Sequence, residues 1–99
     1  MIHHIVLFKF YKKTKASDIQ DLAQALEKLK VQIPGITRYI WGPSVSIENL
    51  EKGFTHGFIM TFKDKKFRDI YVPHPLHKAL IKKYVDPICD QGLVFDIEE

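Results

Sequence analysis

The strongest constraint on the fold is a strand near the start of the chain that is apolar on both faces. Residues 2–10 read Ile-His-His-Ile-Val-Leu-Phe-Lys-Phe, a β-rich run without a breaker. Alternation divides this run into two sets of side chains, both mostly apolar. The sets are His4, Val6, Phe8 and Phe10, and His3, Ile5, Leu7 and Lys9. In a chain of 99 residues a helix layer covers one face of such a strand, so the other face predicts a second subunit.

A helix is predicted at about residues 17–32. An apolar stripe with helical spacing occurs there, and the opposite face of the segment is charged. Ser17 and Gln20 have the spacing of a capping box, and Pro34-Gly35 ends the helix. The stripe consists of Ile19, Leu22, Leu26, Leu29 and Ile33.

Two strands are predicted next, at residues 36–47 with an interruption at Gly42-Pro43, and at residues 54–62. In the strand at residues 54–62, one face carries bulky side chains around a single histidine, and the other face carries mostly small or β-branched side chains. The first set is Phe54, His56, Phe58, Met60 and Phe62, and the second is Thr55, Gly57, Ile59 and Thr61.

The remainder of the chain predicts a short helix from Asp64 to a break at Pro73, a helix from Pro75 ending near Pro87, and a last strand at residues 92–97. The resulting order is β-α-β-β-α-β. It predicts an α+β, ferredoxin-like fold with a four-stranded antiparallel sheet and helices on one face. We treat residues 1–99 as a single domain.

The segment from Tyr71 to His77, Tyr-Val-Pro-His-Pro-Leu-His, is the main candidate for chemistry. Pro75 suits the first turn of a helix, which makes His74 its cap and puts His77 in that turn. Tyr71 and His77 then face one another across the break. They are either an acid/base pair or two polar residues that fill a core.

Four polar side chains are expected to converge on one pocket. If His4 and His56 both face the helix layer, they enter a pocket beneath Tyr71 and His77. Its other expected lining residues are Phe8, Phe58 and Met60. Imidazole titrates near neutrality, with an unperturbed pKa of about 6.5, and can exchange protons with an enolisable compound. Alternatively, each histidine is a hydrogen-bonded core residue.

Composition excludes several classes of function. The net charge of +3 comes from basic residues interleaved with acids, which does not favour nucleic acid, and no apolar run is long enough to span a membrane. The single cysteine, Cys89, is expected to be a small buried hydrophobe and fits a cytoplasmic location. Phosphate loops and nucleophile elbows are absent, so we expect no cofactor. His74 and His77 lack a carboxylate or cysteine at ligand spacing, so a metal site there is the weaker idea.

Several motifs together resemble the stress-responsive A/B barrel (Dabb) domain family. They are the opening His-His-Ile-Val-Leu-Phe-Lys-Phe, Ile-Pro-Gly-Ile, Trp-Gly, Gly-Phe-Thr-His-Gly-Phe, the segment from Tyr71 to His77, and Leu-Val-Phe-Asp. The resemblance covers essentially the whole chain. It implies a ferredoxin-like homodimer, paired through the outward sheet face, whose sheets form an α+β barrel.

The resemblance implies two functions and leaves the choice open. The family contains plant stress-stable proteins, and also polyketide cyclases of the olivetolic acid type. By analogy with those cyclases, Tyr71 and His77 would perform acid/base catalysis, and His4 and His56 would line the cavity. The chain is then either a homodimer that binds an apolar small molecule, with a stress-associated role, or a cofactor-independent cyclase or lyase. The second would perform aldol-type chemistry on a polyketide-like carbonyl compound.

Overall fold

The computed structural model describes residues 1–99 and contains four strands and three helices. The strands are β1 (Ile2–Phe10), β2 (Ile36–Pro43), β3 (His56–Phe62) and β4 (Cys89–Glu98). The helices are α1 (Ala16–Gln32), α2 (Lys65–Tyr71) and α3 (Pro75–Leu80), and α3 continues into a π-helical turn at Ile81–Val85. No helix combines the length and the apolar character that crossing a bilayer requires.

The four strands form one antiparallel sheet in the order β2-β3-β1-β4. This confirms the ferredoxin-like α+β fold. In the register, His4 lies opposite Met60 of β3 on one side and opposite Asp96 of β4 on the other. Strand β1 is therefore central, with a paired strand at each edge, and one of its two apolar faces packs against the helices.

The hydrophobic core lies between the sheet and the helices. His4, Val6 and Phe8 of β1 are buried and Phe10 of the same face is half-buried, while Phe58, Met60 and Phe62 of β3 are buried. Leu22, Leu26 and Leu29 bury the apolar stripe of α1 against them. The period-two division of both strands is therefore confirmed.

The opposite face of the sheet is apolar and open in a single chain. Ile5 lies between Ile59 and Phe95 in neighbouring strands, so the three side chains share this face. Phe95 is 58% exposed, a large value for an aromatic side chain in a strand. Other apolar residues that share this face are Leu7, Ile40, Leu93 and Ile97.

Some predicted boundaries are wrong for local reasons. The helix α1 begins at Ala16, and the Asp18 carboxylate accepts a hydrogen bond from the Lys15 backbone N–H at 3.4 Å, so the predicted box from Ser17 to Gln20 is not used. Strand β2 ends at Pro43, which donates no hydrogen bond to a ladder. Strand β3 begins at His56 because the chain turns before it, with the Phe54 N–H donating to the Glu51 carbonyl at 3.0 Å.

Gly35 is the turn residue on which the entry to β2 depends. Its φ is +91°, and a Cβ there would overlap the ring of Phe67 on α2. An L side chain would therefore be strained by the backbone as well as by the clash.

We expect Gly35→Ala to lower the free energy of unfolding by about 2 kcal/mol or more. Gly42→Ala is the matched control, because Gly42 has open space around the position of a Cβ. Urea denaturation of both variants measures the difference. Equal stabilities would contradict this account of the turn.

Candidate functional site

The break between α2 and α3 is built by two prolines. Helix α2 ends at Tyr71 with Val72 as its cap, and Pro75 occupies the first turn of α3. His74 caps α3, and its Nδ1 accepts a hydrogen bond from the Leu76 backbone N–H at 3.1 Å. The predicted cap is therefore confirmed, and Nδ1 of His74 is occupied by the backbone.

Tyr71 and His77 do meet across this break. Their rings stack with centroids 4.0 Å apart and an interplanar angle of 25°. Nδ1 of His77 lies 3.0 Å from the carbonyl oxygen of Val72, so Nδ1 carries the proton and donates it. Burial lowers the pKa of His77, which favours the neutral ring. His77 thus presents Nε2 as a basic lone pair near neutral pH.

The Tyr71 hydroxyl is a buried polar group without a partner. Tyr71 is fully buried, and its oxygen makes no hydrogen bond within the protein. Burial raises the pKa of Tyr71, so the phenol stays protonated and is a hydrogen-bond donor. An unsatisfied buried hydroxyl is costly, by about 1–3 kcal/mol, and such groups are rare in native proteins.

His4 is hydrogen-bonded to a carboxylate that also pairs with an arginine. It is buried, and its Nδ1–H donates to Oδ1 of Asp96 at 2.7 Å. The other Asp96 oxygen accepts from Nη1 of Arg68 at 2.8 Å. This chain connects β1, β4 and α2, and it holds the His4 ring in a fixed orientation.

Periodicity in the sequence does not identify Asp96 or Arg68 as site residues. Pairing the first strand with the last in antiparallel register puts Asp96 opposite His4, so the register was the available signal for Asp96. No periodicity indicates Arg68, because its contact joins α2 to β4 across 28 residues.

An apolar cavity lies beside these groups. Its volume is about 310 Å³, and eleven of its fourteen lining residues are hydrophobic. The helical segment at Ile81–Val85 contributes both of its end residues, through a π turn of the kind often found at functional sites. The lining residues are His4, Val6, Phe8, Leu26, Phe58, Tyr71, Val72, His77, Leu80, Ile81, Val85, Cys89, Gly92 and Val94.

The structure brings most, but not all, of the predicted site residues to this apolar cavity beside Tyr71 and His77, which we call the main cavity. Tyr71, His77, His4, Phe8 and Phe58 line it. His56 does not: it pairs with Phe8 near the other end of the sheet, and its ring lies against Phe10 and Trp41. Met60 is fully buried in the core beneath the helices and does not reach the cavity either.

Cys89 is half-buried rather than fully buried, and it lines the cavity. Burial raises the pKa of its thiol, so the thiol remains protonated. The structure groups no three His, Cys, Asp or Glu side chains in an arrangement for a metal ion. The residues that line the cavity are a tyrosine and two histidines among mostly apolar side chains, a combination that suits a ligand with one polar group on an apolar body.

Comparison with known proteins matches the chain to relatives over nearly its whole length. The model of the Stress responsive A/B Barrel Domain (Dabb) matches residues 2–99. The stress-response A/B barrel domain-containing protein HS1 of Arabidopsis thaliana is 32% identical over 95 residues, covering 96% of this chain and 86% of HS1. Olivetolic acid cyclase of Cannabis sativa is 26% identical over 95 residues, covering 96% of this chain and 93% of the cyclase.

Solved structures of similar proteins have the same fold as this chain. The crystal structure of At3g17210 from Arabidopsis thaliana superposes with a TM-score of 0.93 at 30% identity, covering 100% of this chain and 95% of that one. A protein from Jannaschia sp. CCS1, described as a dimeric ferredoxin-like protein of unknown function, has a TM-score of 0.86 at 28% identity and covers 99% and 98%. With its motifs, its fold and the match over residues 2–99 in agreement, this chain belongs to the stress responsive A/B barrel (Dabb) domain family.

Proposed function

We propose that the protein is a homodimer whose main cavity binds a small apolar molecule bearing a carbonyl group. The observation that carries the proposal is the Tyr71 hydroxyl, buried and without a partner, on a residue that lines a mostly apolar cavity. A carbonyl oxygen would accept the hydrogen bond that the protein leaves unmade. Binding would then remove an existing penalty as well as bury apolar surface.

The volume of the cavity restricts the size of the ligand. A cavity of 150 Å³ holds a molecule of the size of benzene. By this scale the main cavity of about 310 Å³ has room for roughly twelve non-hydrogen atoms. The expected ligand is therefore a short alkyl or aryl ketone, or part of a longer chain.

A second candidate function is cofactor-independent acid/base chemistry on the same class of compound. The observation that favours it is the hydrogen bond from His77 to Val72, which leaves Nε2 as the free, basic nitrogen. The relationship to olivetolic acid cyclase supports the same choice. Of the polar groups at the cavity, Tyr71 and His77 are then the catalytic candidates, and His4 is a ligand-binding one.

The proposed reaction is an aldol-type ring closure. Nε2 of His77 would remove a proton from the carbon next to the carbonyl, while Tyr71 donates a hydrogen bond to the developing enolate oxygen. The enolate carbon would attack a second carbonyl of the same molecule and form a C–C bond. The imidazolium would then return its proton to the new alkoxide, so that no cofactor is consumed.

The outward sheet face is the proposed dimer interface. Ile5, Leu7 and Ile59 form its centre, flanked by Leu93 and Phe95 of β4. An apolar face of this extent is unusual for a soluble monomer. The description of the Jannaschia protein as dimeric supports a homodimer.

Tyr71→Phe tests the binding proposal. Removing a hydroxyl that has no protein partner should leave the free energy of unfolding unchanged or increase it. Affinity for a methyl alkyl ketone should fall by roughly 2–12-fold, the equivalent of one neutral hydrogen bond. Denaturation and calorimetric titration measure the two quantities. A large loss of stability would show that the hydroxyl has a structural role, and an unchanged affinity would show that it does not bind the carbonyl.

His77→Ala tests the chemistry without a known substrate. The wild-type protein should catalyse exchange of the protons next to the carbonyl of a ketone in D₂O, followed by NMR, and the variant should lose roughly 10²–10⁴-fold of that rate. Because burial lowers the pKa of His77, the acidic limb of the rate profile should lie below pH 6.5. His74→Asn is the control, since asparagine retains a helix cap. Equal exchange rates in wild type and His77→Ala would refute the assignment.

Phe95→Lys tests the interface. A lysine in a dry apolar contact loses its solvation, so this variant should have a monomeric mass by light scattering at micromolar concentration. Val31→Lys is the matched control, because Val31 is 86% exposed on α1, away from the sheet. A monomeric wild-type protein, or a Phe95→Lys dimer as stable as the control, would reject this interface.

A further inference from the structure

The main cavity has a closed inner part and one open side. Half of its lining residues are buried, among them Tyr71 and the residues contributed by β1. Only three lining residues are exposed: Val72, which caps α2, and Gly92 and Val94 on β4. Because β4 is an edge strand, the cavity is open mainly along this edge of the sheet.

Gly92 leaves bare backbone at the open side. It pairs with Phe8 across the ladder, and paired residues face the same side of a sheet, so a side chain at position 92 would point toward the helices as Phe8 does. Apart from its chain neighbours, a Cβ there would have two heavy atoms within 4 Å, Sγ of Cys89 at 3.8 Å and the Leu7 carbonyl oxygen at 3.9 Å. Both are ordinary contact distances, so the missing side chain corresponds to free room in the cavity.

The backbone does not require a glycine at this position. Gly92 lies inside β4, and its φ is outside the left-handed region that favours glycine. Glycine weakens the interior of a strand, because it loses more conformational freedom on folding and has no side chain to pack. Its cross-strand partner Phe8 receives no side-chain contact from it. A larger residue would therefore suit the strand better, and what the glycine provides is space.

We propose that Gly92 determines the size of the ligand that the main cavity accepts. The inference rests on the proposed function and specifies the ligands of the same site. With its carbonyl at Tyr71, a large ligand extends to the open side and lies against the backbone of Gly92. A side chain at position 92 would occupy that place, so the site would still accept small ketones but not large ones.

Two ketones of different size test this selectivity. On the scale given above, alanine at position 92 takes the room of about one non-hydrogen ligand atom, and valine takes that of about three. 4-Phenylbutan-2-one nearly fills the cavity of about 310 Å³, whereas butan-2-one leaves more than half of it empty. Each methylene that stays buried is worth about fourfold in affinity.

Gly92→Ala should therefore weaken the binding of 4-phenylbutan-2-one about fourfold, and Gly92→Val should weaken it at least about tenfold. The affinity of both variants for butan-2-one should stay within about twofold of wild type, because the small ketone does not reach position 92. Chemical-shift titration by NMR measures both affinities, including that of the weakly binding small ketone.

Gln91→Val is the matched control. Gln91 precedes Gly92 on β4, but its side chain leaves the opposite face of the sheet and lines no part of the main cavity. This variant should bind both ketones as wild type does. Urea denaturation checks the fold, and both Gly92 variants should be at least as stable as wild type. A selective loss of affinity in a protein of undiminished stability is not a consequence of unfolding.

Cys89, the only cysteine in the chain, reports on the same space without a ligand. It is half-buried, and its Sγ is the atom nearest to the Cβ position at Gly92. Its reaction with a bulky aromatic disulfide reagent should slow from wild type to Gly92→Ala and again to Gly92→Val. Saturating 4-phenylbutan-2-one should slow the reaction in wild type. Equal reaction rates in the three proteins would overturn the assignment of open space to position 92.

The binding experiments separate failure of this inference from failure of the proposed function. If wild type binds the ketones and the Gly92 variants lose affinity for both equally, or for neither, the role of Gly92 is overturned and the proposed function stands. If wild type binds neither ketone, the proposed function is overturned, and the selectivity with it.

Discussion

The hydrogen bond between the Val72 carbonyl and His77 is the interaction on which the candidate site depends. In a continuous helix that carbonyl would accept from the N–H of Leu76. Two prolines interrupt the helix, and the Leu76 N–H donates to His74 instead, so the Val72 oxygen is left free. His77 supplies the missing donor, which fixes its tautomer and its stacking on Tyr71. The orientation of the imidazole is thus a consequence of how the chain satisfies its own backbone.

The helices cover only one face of the sheet, so its outer apolar face stays open in a single chain. Strand β1 is central and apolar on both faces, yet α1 and α3 cover only one of them. Strand β4 lies at the edge, where it contributes Val94 and Asp96 to the helix side and Phe95 to the outer side. The same strand therefore borders the cavity and the proposed interface. Under the proposed function, a partner on the outer face would stabilise β4 and with it the carboxylate that orients His4.

Sequence periodicity predicted which side of the sheet each residue occupies, but not its position along the strand. It placed His4, Phe8 and Phe58 correctly on the helix side, and it placed His56 there too. His56 nevertheless pairs with Phe8, four residues along β1 from His4, a displacement of about 13 Å. Alternation contains no information about that distance, whereas strand register does. The same limit applies to Asp96, whose position opposite His4 depends on the register of β1 with β4. The contact between Arg68 and Asp96 depends on how α2 packs across the sheet.

The distribution of charge around the cavity sets its selectivity under the proposed function. Asp96 and Arg68 are charged, but they pair with each other, and each side chain is 24% exposed. Inside, burial favours the neutral forms of both Tyr71 and His77. A charged ligand would lose its hydration there without gaining an unpaired counter-charge, a penalty that apolar contacts of this area do not offset. A neutral carbonyl compound meets no such penalty, and its oxygen satisfies the phenol that the fold leaves without a partner.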